Sequence, residues 1–294
     1  MWIPVISSCD PLEIPIDDVD DEADANPESD YDYESDFEPP YTPTELVAII
    51  ADFYTFLTTL HFSAEDLKFP PASGWSSIPS LCTFKSERAM EVLHQLPYFK
   101  DTTPAQLHYK SRVIDYTSLP SSFYDAETDD YIYQDDEFHD YEGRLVDRGN
   151  LICFARGWES GGRQMYLDVL TGEVTEDIIR CDLLSPVDVV AYFEALKEEY
   201  RSLRLVPCTG REIIEAQKVD EGGDVGREEV MAEKGDFGTD TDVCWVRSVY
   251  RRHGWPDAFQ LEDADKEINE VMEEMDVGER GKGKDLFWWR WRGC

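Results

Sequence analysis

The stretch NLICFARGWESGGRQMYLDVLTGEVTEDIIRC, residues 150–181, alternates apolar and polar residues three times. Two glycine-containing turns, Gly161-Gly162 and Thr171-Gly172, separate the three alternating runs. Alternation with a period of two is typical of strands that bury one face, and tight glycine turns join neighbouring antiparallel strands. The stretch therefore predicts a three-stranded β-meander, which we place at the centre of the fold.

Helical patterns flank this meander. Apolar residues recur at spacings of three and four on both sides of it, which is typical of helices that bury one face. The expected helices cover residues 43–61, 86–96 and 186–204, and a further strand is expected within residues 109–116. Together these elements predict an α+β fold, with an antiparallel sheet of four to six strands centred on residues 109–181 and covered by the three helices.

Several helix starts can be assigned from capping residues. Thr42 and Glu45 suit a capping box, and Pro43 fits the first helical position between them. Ser185 is expected to open the helix that follows the meander. Pro256, after a left-handed cap at Gly254, is expected to open the last helix.

Composition divides the chain into four regions. The predicted regions are a disordered acidic tail (1–40), an α+β core domain (41–217), a linker rich in Gly, Asp and Glu (218–240) and a helical C-terminal extension with a Trp/Arg-rich tail (241–294). A short strand is expected at Tyr131–Tyr133, within an otherwise irregular acidic loop.

The net charge of −37 is concentrated in two segments. Residues 1–40 carry fourteen Asp and Glu side chains, residues 121–142 carry nine more, and neither segment contains Lys or Arg. Such a field repels nucleic-acid phosphates, so DNA or RNA binding is not expected. It suits a basic protein partner, or simply solubility. The sequence does not predict an oligomeric state.

The seven cysteines are scattered, odd in number and without a CxxC pair. This pattern argues against a disulfide scaffold or a zinc module and favours a reducing compartment. Cys153 and Cys181 lie in strand patterns and are expected to be small buried side chains. No window is apolar enough to span a membrane, and the first twenty residues lack the features of a signal peptide. A cytoplasmic or nuclear protein without a cofactor is therefore expected.

Several segments carry a resemblance to known proteins. Residues 69–75 (FPPASGW), 108–116 (HYKSRVIDY), 159–186 and 250–259 (YRRHGWPDAF) resemble a large group of uncharacterised fungal proteins. The glycine turn, Tyr166-Leu167-Asp168 and Gly172-Glu173-Val174 also resemble the paired strands of the SMI1/KNR4 (SUKH) superfamily. That resemblance implies an α+β protein-interaction module that is not known for catalysis.

Aromatic residues beside glycines are the candidate contact residues. Aromatic side chains at the ends of elements are frequent in interfaces, and also serve as lids on a core. The candidate interaction surface consists of Trp75, Trp158, Arg163, Asp168, Trp255, Trp288, Trp289 and Trp291. The last three indoles belong to the C-terminal tail. This tail is expected either to anchor on a membrane surface or partner, or to fold back as an edge strand.

Two alternatives to an interaction module remain open. A hydrolase-like enzyme would use carboxylates such as Glu159 and Asp168, or a pair of Cys208 with His108 or His253. An acidic decoy would use residues 1–40 and 121–142 to mimic a polyanion. A hard cation could be held by Asp135, Asp136, Glu137, His139 and Asp140, although their spacing is not that of an EF-hand loop and no metal site is predicted.

Overall fold

The chain divides into a unit of residues 1–38 and a unit of residues 39–294, and the second carries the fold described below. The computed structural model describes residues 38–79, 84–100, 102, 105–120, 138–139, 141–143, 145–208, 212–233 and 239–277. The expectations for the acidic tail, the strand at Tyr131–Tyr133, the acidic cation ligands other than His139 and the Trp/Arg tail lie outside these residues, apart from the last three residues of the acidic tail.

Six α-helices and thirteen short strands follow one another along the described residues. The helices are α1 (Pro43–Thr58), α2 (Glu87–Gln95), α3 (Val189–Arg201), α4 (Arg227–Ala232), α5 (Asp240–Arg252) and α6 (Leu261–Val277). The strands are β1 (Leu67–Lys68), β2 (Tyr98–Phe99), β3 (Gln106–His108), β4 (Ser111–Val113), β5 (Phe138–His139), β6 (Leu145–Val146), β7 (Leu151–Gly157), β8 (Arg163–Asp168), β9 (Glu173–Ile178), β10 (Asp182–Leu183), β11 (Val187–Asp188), β12 (Leu205–Val206) and β13 (Ile214–Glu215).

The main sheet has seven antiparallel strands in the order β10-β9-β8-β7-β4-β3, with β11 also paired to β9. The predicted meander is confirmed as β7, β8 and β9. All residues of β7 except one are buried, as expected for a central strand. The other three two-strand pairs are β1 with β2, β5 with β6 and β12 with β13. The α+β fold class is therefore confirmed, with one strand more than the upper limit expected.

The register of the meander depends on its turns. β8 and β9 pair without interruption from Arg163 opposite Ile178 to Asp168 opposite Glu173. Gly172 closes this hairpin with a φ of +71°, and a Cβ atom on it would lie 2.4 Å from the ring of Tyr41. Both the backbone conformation and the close approach therefore require glycine at this position.

Helix α1 begins as predicted. The Glu45 backbone N–H donates to the Thr42 hydroxyl at 3.2 Å, and the Thr42 N–H donates to the Glu45 carboxylate at 2.7 Å. Leu46, Ile50 and Phe53, on the face that the spacing predicted to be apolar, are fully buried. Helix α2 is likewise capped by Ser86, at the start of the helix expected over residues 86–96. Local capping chemistry is therefore sufficient to locate these two helices.

The start predicted at Ser185 for the helix after the meander is wrong. Val187 and Asp188 instead pair with Val174 and Glu173 of β9, so they extend the sheet as β11. The Asp188 carboxylate then accepts hydrogen bonds from the Val190 and Ala191 N–H groups in the first turn of α3. Pairing with β9, which lies outside the helix-start pattern itself, therefore delays the helix until Val189.

The start predicted at Pro256 for the last helix is also wrong, because α6 begins at Leu261. The indole of Trp255 is buried and donates to the backbone oxygens of Tyr200 and Arg201, at the end of α3. The Gln260 N–H donates back to the His253 oxygen. This docking of Trp255 holds residues 254–258 in turns, and the helix starts only after them.

The two cysteines predicted to be buried differ. Cys153 is buried in β7, as expected. Cys181 lies in the turn after β9, is exposed, and is one half of a disulfide. The prediction of a small buried side chain is wrong at Cys181, because the strand pattern ends at Ile178 and the chain turns before this residue.

The C-terminal helices share the core of the rest of the fold. Trp245 and Val246 of α5 and Val271 of α6 are almost completely buried within the same apolar cluster as α1 and the sheet. Helix α4, with Val230 fully buried, lies within the segment for which a linker is expected. No helix among the described residues is long and apolar enough to cross a membrane.

A buried arginine on α5 connects these helices to the preceding chain. Arg247 is only 1% exposed, and its guanidinium makes several hydrogen bonds. Over 2.8–3.1 Å it donates to the backbone oxygens of Leu203, Ala216, Val219 and Asp220. We call this arrangement the Arg247 clamp. Because its four acceptors lie between residues 203 and 220, it ties that irregular segment to α5.

His61 gives the fold a specific pH dependence. Both ring nitrogens are buried without a hydrogen-bond partner, and the ring stacks on Tyr200 with centroids 5.7 Å apart. Burial lowers the pKa of His61 from 6.5 to about 3. Below pH 6.5 the unfolded chain binds a proton at this residue that the folded chain does not bind, so the free energy of unfolding falls as the pH is lowered.

Replacing His61 with phenylalanine is expected to remove this dependence. Between pH 6.5 and pH 4.5 the wild-type chain should lose about 2–3 kcal/mol more stability than His61→Phe, since each pH unit contributes up to about 1.4 kcal/mol. Urea denaturation at both pH values measures the difference. Equal losses in the two chains would show that the imidazole is protonated in the folded state.

Candidate functional site

Three turns meet at one end of the main sheet. They connect β3 to β4, β7 to β8 and β9 to β10, and antiparallel pairing brings them side by side. The Trp158 N–H donates to the Lys110 oxygen, and Gly161 and Gly162 exchange backbone hydrogen bonds with Ile179. The turns are therefore joined to one another by backbone hydrogen bonds and form one continuous platform.

A cleft of about 630 Å³ opens on this platform. It is lined by Lys110, Arg156, Gly157, Trp158, Glu159, Ser160, Ile179 and Arg180, and we call it the turn-end cleft. Its volume lies within the range of ligand sites. Three of its side chains are cationic and one is anionic, in a chain whose net charge is −37. The cleft is therefore a local positive exception on an acidic protein.

The backbone around the cleft adopts an uncommon conformation. Four described non-glycine residues have a positive φ, and three of them line the cleft: Lys110 at +49°, Glu159 at +60° and Arg180 at +64°. For residues with a Cβ atom this conformation costs about 1–2 kcal/mol each. Such strain is found preferentially at functional sites, where the surrounding structure enforces it.

Like charges are also placed together beside the cleft. Arg112 of β4 and Arg156 of β7 are direct cross-strand partners, an arrangement that is destabilising for like charges. The Arg112 guanidinium lies over the Trp158 ring, 5.3 Å from its centroid. The arginine pair therefore places two cations next to an aromatic surface, where the carboxylate of Glu212 offsets part of the charge of Arg112.

One ion pair at the cleft is already formed. Lys110 Nζ lies 2.7 Å from the Glu159 carboxylate. Burial opposes the charge of Lys110, but the Glu159 carboxylate offsets it and raises the pKa of Lys110. The hydrogen bond from Lys110 lowers the pKa of Glu159. The backbone of this turn packs closely against Gly162, since a Cβ atom there would lie 2.6 Å from the Trp158 oxygen. A larger residue at this position would therefore force the turn to shift.

Beneath the cleft, on the core side of the sheet, lies a buried polar network. It consists of Arg163, Glu176, Glu215, His108 and Tyr192, and we call it the Arg163 network. Arg163 contacts Glu176 and, at 3.1 Å, Glu215. His108 Nδ1 lies 2.5 Å from Glu215, and the Tyr192 hydroxyl donates to Glu176 at 2.7 Å. The network thus joins β3, β8, β9, β13 and α3.

The two carboxylates of this network remain ionised despite their burial. Burial alone would raise the pKa of Glu176, but the charges of Arg163 and His108 bring it below its ordinary value. Burial would likewise raise the pKa of Glu215, but the hydrogen bonds and charges of His108 and Arg163 outweigh burial, so the pKa of Glu215 is lowered. The cation of Arg163 is therefore required by both carboxylates.

The structure separates the residues predicted from the meander. Trp158 lines the cleft, whereas Arg163 lies beneath it in the network. Asp168 is at the opposite end of β8, where its carboxylate accepts hydrogen bonds from the Leu170 and Thr171 N–H groups. Burial raises the pKa of Asp168. These three side chains therefore do not converge on one site.

The other predicted tryptophans lie elsewhere. Trp75 is partly buried and donates to the Leu96 oxygen at 2.7 Å, and Trp255 is buried against α3. Both pack against the core, which agrees with the alternative of lids on a core. Trp288, Trp289 and Trp291 lie outside the described residues.

The groups of the hydrolase alternative are also separated. Glu159 precedes β8 and Asp168 is the last residue of that strand, so the two lie toward opposite ends of it, and the Glu159 side chain is 69% exposed. Of the two histidines, His108 contacts Glu215, and His253 lies 2.9 Å from Glu267. In the part of the chain that is described, no cluster of three or more His, Cys, Asp or Glu could hold a metal ion.

The residues that make the cleft positive were missed from the sequence. Lys110, Arg112, Arg156 and Arg180 each lie next to a turn, and a basic residue at each of three turns in so acidic a chain is a recognisable pattern. No sequence pattern indicated that Glu215 and Tyr192 would join the Arg163 network.

Compared with known proteins, the chain matches no protein-family model, no curated protein and no solved structure.

Proposed function

We propose that this chain is a non-enzymatic protein-interaction module of the SMI1/KNR4-like kind, and that the turn-end cleft is its contact site. The observation that carries the proposal is the strained and positively charged rim of the cleft, where three non-glycine residues adopt positive φ. Strain and like-charge repulsion reduce stability, and proteins retain such features where binding needs them.

The platform supports this role in a second way. Its three turns are connected by backbone hydrogen bonds to the most completely paired strands of the fold. A partner binding there would meet side chains that are already positioned, which reduces the entropy lost on association. Trp158 and the nearby arginines are residue types that often dominate binding energy at interfaces.

The competing hypotheses receive less support. The hydrolase alternative needs Glu159 to act with Asp168, or Cys208 to act with His108 or His253. Each of these carboxylates and histidines instead contacts a different residue of the chain. The decoy alternative and the expected basic partner depend on residues 1–40 and 121–142, which lie almost wholly outside the described residues. Cytoplasmic or nuclear localisation likewise stays a prediction.

Affinity capture with matched variants tests the proposal. The full chain, Arg180→Glu and Lys266→Glu are immobilised, and captured proteins are quantified by mass spectrometry. Each variant replaces one exposed cation with Glu, so the two variants have the same net charge. They differ in position, because Arg180 lines the cleft and Lys266 lies on α6 outside it. A true partner should bind Arg180→Glu about tenfold more weakly than it binds the unchanged chain, because the charge at a contact residue is reversed. It should bind Lys266→Glu as tightly as the unchanged chain.

Each protein that passes this comparison is then purified and its direct binding to the three chains is measured. If direct binding repeats the loss with Arg180→Glu, the cleft is a contact site. If every captured protein binds all three chains equally, the cleft is not the contact site and the proposal is wrong.

A further inference from the structure

The cleft selects its occupant by charge. Lys110, Arg156 and Arg180 line it, and Arg112 lies directly beside Arg156. Glu159 is the one carboxylate among the lining residues, and the carboxylate of Glu212 also interacts with Lys110 and Arg112. The two acid-rich segments bring 23 of the 37 excess negative charges, so the remaining chain is itself mildly acidic. A positive cleft on this background is not a consequence of the overall composition. Such a cleft suits a ligand that carries a negative charge.

The cationic side chains differ in how they are engaged. Lys110 is paired with Glu159 at 2.7 Å. Arg180 is exposed and forms no salt bridge with any described residue. It lies in the turn after β9 and has a left-handed backbone conformation, with φ at +64°. Arg180 is therefore the cation that a ligand can reach first.

The internal Lys110–Glu159 pair indicates the kind of anion that fits. A carboxylate on a short side chain already binds at this rim, and arginine adds two parallel N–H donors that match a carboxylate. Trp158 supplies a large flat surface next to these charges, and aromatic rings and guanidinium groups both stack on such a surface. The cleft thus offers a carboxylate contact and an aromatic contact side by side.

Resting on the proposed function, we infer that the partner inserts an acidic segment in which an aromatic residue neighbours an Asp or Glu. The carboxylate of this segment contacts Arg180 and its aromatic side chain packs on Trp158. The ligand chemistry is that of an extended acidic–aromatic peptide.

Fluorescence anisotropy with labelled peptides tests this inference on the full chain. The probes are a peptide of repeated Asp-Tyr-Glu, the same peptide with Ser in place of Tyr, and a Lys-Tyr-Lys peptide. The titrations are done at 0.15 M salt, where the Debye length is about 8 Å, so the acidic segments of the chain repel an acidic peptide only over short distances. The Asp-Tyr-Glu peptide should bind tightest of the three.

Two variants assign the contacts. Arg180→Glu should weaken Asp-Tyr-Glu binding by about tenfold or more, whereas Lys266→Glu should bind as the wild type does. Trp158→Ala should remove the preference for Tyr over Ser, because stacking on the indole is lost. Far-ultraviolet circular dichroism of each variant verifies that the fold is retained.

The outcomes separate this inference from the proposed function. Equal binding of Asp-Tyr-Glu to wild type and Arg180→Glu, or tighter binding of Lys-Tyr-Lys, overturns the acidic occupant. If affinity capture still yields partners that depend on Arg180, the interaction module stands and only its ligand class is wrong. If capture yields none and the Asp-Tyr-Glu peptide also fails to depend on Arg180, both are wrong.

Discussion

Replacing Arg163 with methionine is expected to lower the free energy of unfolding at pH 7 by about 3–5 kcal/mol, the range for removing one partner of a buried ion pair. The Glu176 and Glu215 side chains are only 10% and 5% exposed, and both contact the Arg163 guanidinium. Methionine fills much of the same space without a charge. Urea denaturation followed by tryptophan fluorescence measures the loss.

The loss should depend on pH in a defined direction. The pKa values of Glu176 and Glu215 are lowered in the folded protein, so their stabilisation is present above their unfolded values and disappears as the pH falls through the folded values. Without Arg163, burial raises both pKa values. The difference between wild type and Arg163→Met should therefore narrow from pH 7 to pH 4.5.

The double variant Arg163→Met with Glu176→Gln provides the control. It removes one of the two uncompensated carboxylates, so it should be more stable than Arg163→Met alone. A loss below about 1 kcal/mol for Arg163→Met would mean that water solvates the carboxylates in the absence of the guanidinium. The account of a buried network would then be wrong.

Replacing Arg247 with methionine is expected to lower the free energy of unfolding by on the order of 5 kcal/mol, because four carbonyl oxygens lose donors from a charged group. The Arg247 clamp acts on residues 203–220, whose described part otherwise contains only the short strands β12 and β13. Hydrogen exchange should show that amides of this segment lose protection first.

Arg251→Met is the matched control. Arg251 lies on the same helix, is exposed, and carries the same charge, so its replacement should change stability by no more than about 0.5 kcal/mol. Arg247→Lys should fall between the two, since one ammonium cannot reach all four acceptors. Equal stability of Arg247→Met and Arg251→Met would contradict the clamp.

Much of the fold could be predicted because its determinants are local. The alternation in residues 151–178, the turn at Gly172 and the capping box of Thr42 and Glu45 each depend on residues close together in the chain. These patterns locate the meander and the first helices without knowledge of the rest of the molecule.

The missed features depend on residues far apart in sequence. Val187 joins the sheet only because Val174 is available, and Trp255 delays α6 only because the end of α3 offers acceptors. In the site, Arg112 meets Arg156 across two strands, and His108 meets Glu215 after more than a hundred residues. No local pattern contains these pairings, so a sequence argument could name single residues of the site and not its arrangement.

The edges of the main sheet have a consequence for behaviour at high concentration. One edge is β3, which is three residues long and has an irregular register against β4. The other edge is divided between β10 and β11, each two residues long. Short, interrupted edges offer little length for a strand of another molecule to add to. The sheet is therefore protected against edge-to-edge polymerisation by its geometry, independently of the repulsion between acidic chains.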